Sequence, residues 1–198
     1  MFKRTVFLIL ALAFSALPAQ AETWHVDIDT ASIAGLSGYL DLQLNPGGGD
    51  AQPVQVQISH FSSDAVLDAG LPDGAVSGSL DDVLVLDNSA ALNAWLQALN
   101  FGTYIAFTLD IDSDLTTGGG SSFAAVLWDA AFNPLLAAAG EDAALRFELV
   151  PNAEPVWLAS SLVQVSAVPE PAIALNLLAG LGLLGFAVRR RALNGVVA

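Results

Sequence analysis

Phe101-Gly102-Thr103-Tyr104-Ile105-Ala106-Phe107-Thr108-Leu109-Asp110-Ile111 decides the fold. Phe101, Thr103, Ile105, Phe107, Leu109 and Ile111 recur at every second position. Successive side chains of an extended chain point to opposite sides, so this period places all six on one face of a long strand. Such a strand needs partners with the same pattern, and the chain supplies them on both sides. Trp24, Val26 and Ile28 alternate with Thr23, His25, Asp27 and Asp29. Leu40, Leu42 and Leu44 alternate with Tyr39, Asp41 and Gln43, and Val54, Val56 and Ile58 with Gln55, Gln57 and Ser59. Leu145, Phe147 and Leu149 flank Arg146 and Glu148, and further strands are expected at Val83–Leu86, Phe123–Trp128 and Leu162–Val165.

Turn-forming runs separate these segments: Asn45-Pro46-Gly47-Gly48-Gly49-Asp50, Leu71-Pro72-Asp73-Gly74, Gly118-Gly119-Gly120 and Asn133-Pro134. Many half-buried strands at this spacing predict an all-β fold, an antiparallel sandwich or jelly-roll-like domain. One segment departs from the period. Leu92, Trp95, Leu96 and Leu99 stand at i, i+3, i+4 and i+7 behind a capping Asn88 or Ser89, which predicts one short amphipathic helix across an end of the sandwich.

The two ends of the 198-residue chain read as addresses. Residues 1–21 form a signal peptide: Lys3 and Arg4, an apolar run from Val6 to Leu17, and the small-x-small cleavage site Ala19-Gln20-Ala21. Residues 168–198 begin with Val168-Pro169-Glu170-Pro171, continue through an apolar run over 172–188, and reach Arg189-Arg190-Arg191. Seventeen residues at 1.5 Å each span roughly 26 Å as a helix, enough for a short C-terminal transmembrane helix that the arginines hold on the cytoplasmic side. The prolines keep the peptide just upstream extended and accessible. The remaining 22–167 has the length of one domain.

This tripartite tail resembles the PEP-CTERM sorting signal of Gram-negative bacteria. The resemblance implies a sorting and cleavage motif at Val168, Pro169, Glu170 and Pro171, and a stop-transfer cluster at Arg189, Arg190 and Arg191. It also implies recognition by an exosortase, a membrane enzyme that cuts such tails near the Pro-Glu-Pro element, so the helix is a handle that processing removes. Gly38-Tyr39-Leu40-Asp41-Leu42-Gln43-Leu44-Asn45-Pro46-Gly47-Gly48-Gly49-Asp50 and Ser121-Ser122-Phe123 are similar to a recurrent family of PEP-CTERM proteins with no assigned activity.

Charge narrows the partners. Five of the six basic residues lie in the targeting ends, and 19 of the 20 acids lie between them, so the domain carries Arg146 alone against 19 acids, a net charge of −18. That surface repels nucleic acid and anionic polymers and attracts cations. With no cysteine in the chain, disulfides and thiolate chemistry are excluded and stability must come from an apolar core.

No constellation of catalytic residues stands out, and the domain is expected to be non-enzymatic. Asp110, Asp112 and Asp114 are the candidate metal ligands. Asp110 and Asp112 would share a strand face about 7 Å apart, within reach of one Ca²⁺, the only cofactor the sequence suggests. An EF-hand is excluded, because Leu115 and Ser121 stand where its loop needs Gly and Glu. Gly47–Gly49 and Gly118–Gly120 lack the Lys-Ser/Thr of a phosphate loop and read as turns. His25 and His60 have no Gly-x-Ser-x-Gly partner, since Gly74-Ala75-Val76-Ser77-Gly78 does not fit that pattern.

Trp24 and Trp95 fall on core faces, whereas Tyr39 and Tyr104 fall on outward positions, with Trp128 open to either. The expected function is therefore an exported envelope or extracellular-matrix (biofilm) protein with a structural or adhesive role. The alternative is a module that binds exopolysaccharide through outward aromatics. Expected partners are the Sec export machinery, the exosortase and, before processing, the inner membrane.

Overall fold

The computed structural model describes residues 22–113, 115–168 and 179–183. Thirteen strands follow in order: β1 (Glu22–Asp29), β2 (Ser37–Pro46), β3 (Val54–Ser63), β4 (Val66–Asp73), β5 (Val76–Gly78), β6 (Leu84–Asp87), β7 (Ala94–Asn100), β8 (Tyr104–Ser113), β9 (Ser121–Asp129), β10 (Pro134–Leu135), β11 (Leu145–Leu149), β12 (Val156–Ala159) and β13 (Val163–Ala167). They form two antiparallel sheets packed as a sandwich. The first has the order β13-β1-β8-β3-β6-β5, the second β12-β11-β9-β2-β7-β4, with β10 pairing β9.

The alternating residues build the core as expected. Ile105, Phe107, Leu109 and Ile111 of β8, Val54, Val56 and Ile58 of β3, and Val26 and Ile28 of β1 form the inner face of the first sheet. Leu40, Leu42 and Leu44 of β2, Phe123, Ala125 and Leu127 of β9, and Leu145, Phe147 and Leu149 of β11 meet them from the second. Each large side chain removed from water in this way contributes about 1.5–3 kcal/mol before ordering costs are subtracted. The quoted stretch enters its strand only at Tyr104. Phe101 is buried just before it, and Gly102-Thr103 make a turn pinned by Asp64, whose Oδ1 accepts the Thr103 and Tyr104 N–H groups.

The helix expected around Leu92–Leu99 is not there: Ala94–Asn100 is strand β7. Trp95, Gln97 and Leu99 all point inward, and the period of two was masked by an inward glutamine. The Gln97 amide is satisfied in place, donating to the Asp68 and Ala98 carbonyls and accepting from Trp95 Nε1. Pairing with β2 from Ser37↔Asn100 to Gln43↔Ala94 secures the strand, which a helix would forfeit. Asn88, expected to cap that helix, is buried and ties three segments together. It accepts from the Val54 N–H and donates to the Gln52 carbonyl and to Ser121 Oγ.

The registers sort the main loops between the two ends of the sandwich. The turns after Pro46, before Ser121 and after Leu149 gather at the end where β1 begins and β13 finishes. The turns before Ser37, after Ser63, after Asn100 and after Asp129 gather at the other.

Candidate functional site

At the first end, β13 pairs with β1 from Val163↔Ile28 to Ala167↔Trp24, and the Val168 N–H then donates to the Thr23 carbonyl at 2.8 Å. The tail thus continues directly from an edge strand. Pro169, Glu170, Pro171, the Arg189–Arg191 cluster, and Ala19 and Ala21 of the signal peptide lie outside the described residues. Of the expected transmembrane segment 172–188, only 179–183 is described, and it is helical. Among the described residues no helix is long and apolar enough to cross a membrane.

The glycine runs act as turns here. Gly47 N–H donates to the Gly120 carbonyl at 2.7 Å, and Gly118, at φ 77°, packs on the Asp50 carbonyl where a side chain has no room. Gln52 Oε1 accepts from the Thr116 and Thr117 N–H groups, and Asn152 Nδ2 donates to the Thr116 carbonyl. These bonds lock the loops beside the tail to one another.

Asp110 and Asp112 lie on the outward side of β8, between β1 and β3. Asp110 Oδ2 accepts from Thr23 Oγ1 at 3.3 Å, and Gln57 and Gln55 stand opposite Asp110 and Asp112 in register. Asp114 lies outside the described residues. Among the described residues no three His, Asp or Glu side chains converge as ligands for a metal ion. His25 sits 3.3 Å from Asp27 on β1, half-buried, while His60 stands two lanes away in a bulge of β3, at φ 51°, with Nδ1 3.1 Å from Ser59 Oγ.

Two groups of aromatic side chains form, and Tyr104 stands apart from both. Trp24, Phe147 and Trp157 meet across the seam between the sheets, with ring centroids 4.7–5.9 Å apart. Tyr39 and Trp128 are register partners on the outer face of the second sheet, and Phe132 joins them from the turn after β9. Its ring lies parallel to that of Tyr39, 4.8 Å away with planes 8° apart, and 6.4 Å from that of Trp128. Tyr104 belongs to the other sheet, where its hydroxyl lies 3.2 Å from Ser62 Oγ. Outward tyrosines were therefore legible in the sequence, but Tyr39 and Tyr104 share no platform.

Phe132 and Asp41 were not foreseen. Phe132 is 53% exposed and holds φ 60°, a left-handed conformation costly for a bulky residue. Asp129 enforces it, taking the Ala131 and Asn133 N–H groups on Oδ1 and Asn133 Nδ2 on Oδ2, all at 2.8 Å. These bonds hold the Asp129 carboxyl below the usual carboxylate range, and the bonds from Thr103 do the same for Asp64. The signal was present in the spacing Asp129…Asn133-Pro134, a side chain able to bond its own backbone ahead of a proline.

Asp41, expected on a wet face, is only 8% exposed. Its Oδ2 accepts from Gln43 Nε2 at 2.6 Å and from Trp128 Nε1 at 3.1 Å, while Oδ1 is buried without a partner. Burial outweighs those two bonds and pushes the carboxyl above its ordinary range.

Beside the aromatic group lies a groove of about 290 Å³ between β2, β7 and β4, lined in part by Ser37, Tyr39, Asp68, Asn100 and Ala130.

Comparison with known proteins adds one match: residues 167–191 correspond to the PEP-CTERM protein-sorting motif. No curated protein matches the chain, and no solved structure does. The last strand of the sandwich thus runs straight into a PEP-CTERM sorting motif, and the chain is an exported protein sorted by an exosortase.

Proposed function

We propose that the β-sandwich is non-enzymatic cargo, delivered to the outer envelope or extracellular matrix, where it serves a structural or adhesive role. The observation that carries this reading is the join at Val168. An edge strand hydrogen-bonded to β1 passes without a linker into the sorting motif, so the folded sandwich and its address are one continuous unit. The dispersal of reactive side chains supports the non-enzymatic part, since the two histidines occupy strands separated by β8. In this account the apolar run over 172–188 holds the precursor in the inner membrane until cleavage near Pro169–Pro171 releases the domain.

Fractionation tests the reading. Glu170→Ala, or replacement of Arg189–Arg191 by glutamine, should leave the protein in the inner membrane, whereas the unaltered protein should reach the outer envelope or medium with a mass ending near Pro169–Pro171. Normal release of both variants, or an intact mass running to Ala198, would overturn it.

A second reading, a polysaccharide-binding module, is favoured by one observation: the exposed Phe132 ring, stacked on a half-buried Tyr39, stands beside a groove.

A further inference from the structure

We propose that the groove between β2, β7 and β4, together with the Phe132 ring, is a binding site for a neutral polysaccharide chain. This rests on the polysaccharide-binding reading and adds to it a place, a ligand class and an orientation.

Phe132 makes the strongest case. A phenylalanine in the left-handed region is strained, and such strain persists only where the surroundings over-determine it. Here three hydrogen bonds to Asp129 do so, and the result is a rigid turn that holds a half-exposed ring parallel to Tyr39. Burying that ring would have been the ordinary use of a phenylalanine. An aromatic face held open to water is suited to the apolar C–H face of a pyranose ring, with polar groups beside it to fix orientation.

The groove supplies those polar groups. Ser37 Oγ donates to Asn100 Oδ1 at 2.6 Å, so the Asn100 amide nitrogen is oriented as a donor. Asp68 holds the Ala69 N–H on Oδ1 at 2.8 Å, which leaves Oδ2 to accept from a hydroxyl. Donor and acceptor on one rim, next to an aromatic face, match the alternating hydroxyls of a sugar.

Charge selects among sugars. The domain's net charge of −18 repels uronic-acid or sulfated chains, and Asp68 lies on the groove wall itself. A neutral polymer meets no such barrier.

Position fits the delivery. Tyr39 and Pro46 lie on one strand, and the tail exit is at the Pro46 end. Seven residues of strand carry the site roughly 23 Å from that exit. The groove therefore lies at the opposite end of the sandwich from the residue at which the tail begins.

Affinity electrophoresis of the full-length protein in detergent tests this, with dextran, laminarin or polygalacturonate cast in the gel. Retardation is expected on at least one neutral glucan and not on polygalacturonate. Phe132→Ala and Tyr39→Ala should each weaken it by about tenfold, the scale of a lost aromatic contact. Phe132→Asn, which tolerates the left-handed backbone, should keep the parent's far-ultraviolet circular dichroism and cooperative urea unfolding and still lose binding, so misfolding is separated from loss of the site. Tyr104→Ala, on the other sheet, should bind as the parent does. Neutral-glucan binding that survives Phe132→Asn and Tyr39→Ala would overturn this site while leaving the polysaccharide reading intact. Preference for polygalacturonate, or no retardation on any of the three polymers, would overturn the proposal, and the latter would remove the reading with it.

Discussion

On the outer face of the first sheet, neighbouring strands present His25 and Asp27, then Thr108 and Asp110, then Gln55 and Gln57. On the outer face of the second, they present Ala124, Val126 and Trp128 beside Tyr39 and Asp41. The inner faces are alike, rows of leucine, isoleucine, valine and phenylalanine. Among the described residues only the second sheet has a second apolar layer, where Ala143 of the segment between β10 and β11 packs on Ala124, Val126 and Trp128. One sheet needs water on its outer side, and the other has part of that side roofed by its own chain. The roofed sheet is also where the buried carboxylate, the strained turn and the groove occur, so the covered face is the one on which distinctive chemistry has been built.

The largest test of this contrast is a pair of substitutions at matched outward positions. Val126 is 5% exposed and stands opposite Asp41 in register, so Val126→Asp would bury a second unpaired carboxylate against the first. The expected cost is about 3–5 kcal/mol in urea unfolding. Gln57→Thr, outward on β3, should change stability by no more than about 0.5 kcal/mol. Equal effects would mean that the roof does not exclude water. Next in size is Gly38→Ala. Its β-carbon would collide with the Trp128 carbonyl and with the Phe101 ring, and backbone cannot give way as a side-chain tip can. Overpacking of this kind costs about 1–3 kcal/mol. A neutral result would show that β2 and β9 are less closely joined than their register indicates.

The same contrast explains what could be read in the sequence. In β1, β3 and β8 a hydrophobic inner face alternates with a wet outer one, so composition and geometry agree. In β9, Phe123-Ala124-Ala125-Val126-Leu127 is buried on both sides, and a run of that kind signals a strand without telling its faces apart. In β7 the inward Gln97 and the apolar outward Leu96 inverted the pattern and imitated a helix. The edge strand β4 carries no pattern, because almost all of it is exposed. The sorting motif was legible residue by residue, since its recognition depends on local sequence and not on folding. The platform was only half legible: the outward Tyr39 follows from alternation, whereas Phe132 reaches it through a loop whose path depends on Asp129 hydrogen bonds.

A smaller effect should come from the clamp on the roof. Arg146 Nε lies 3.1 Å from Glu141 Oε2, joining β11 to the covering segment, with both side chains about one-third exposed. Glu141→Gln should cost about 0.2–1 kcal/mol and less at high salt, since screening weakens partly exposed pairs. A cost that does not change with salt would assign the effect to packing.

The subtlest prediction concerns pH and sets Asp41 against Asp64 and Asp129. Burial raises the Asp41 carboxyl above its unfolded value of about 3.9. Between that value and the raised native one, the folded protein binds more protons than the unfolded chain, so stability falls as pH rises through this window. Asp64 and Asp129 are lowered by their hydrogen bonds to Thr103 and Asn133, and work in the opposite sense. The stability they contribute is present above about pH 4 and is lost as pH falls through their native values. Asp41→Asn should therefore abolish the decline above about pH 4 while leaving the acid limb unchanged. Asp129→Asn should blunt the acid limb alone, because the asparagine keeps one acceptor for the turn but no longer titrates. If stability still declined with rising pH in Asp41→Asn, the carboxylate would be hydrated in solution, and the roof over the second sheet would be open enough to admit water to it.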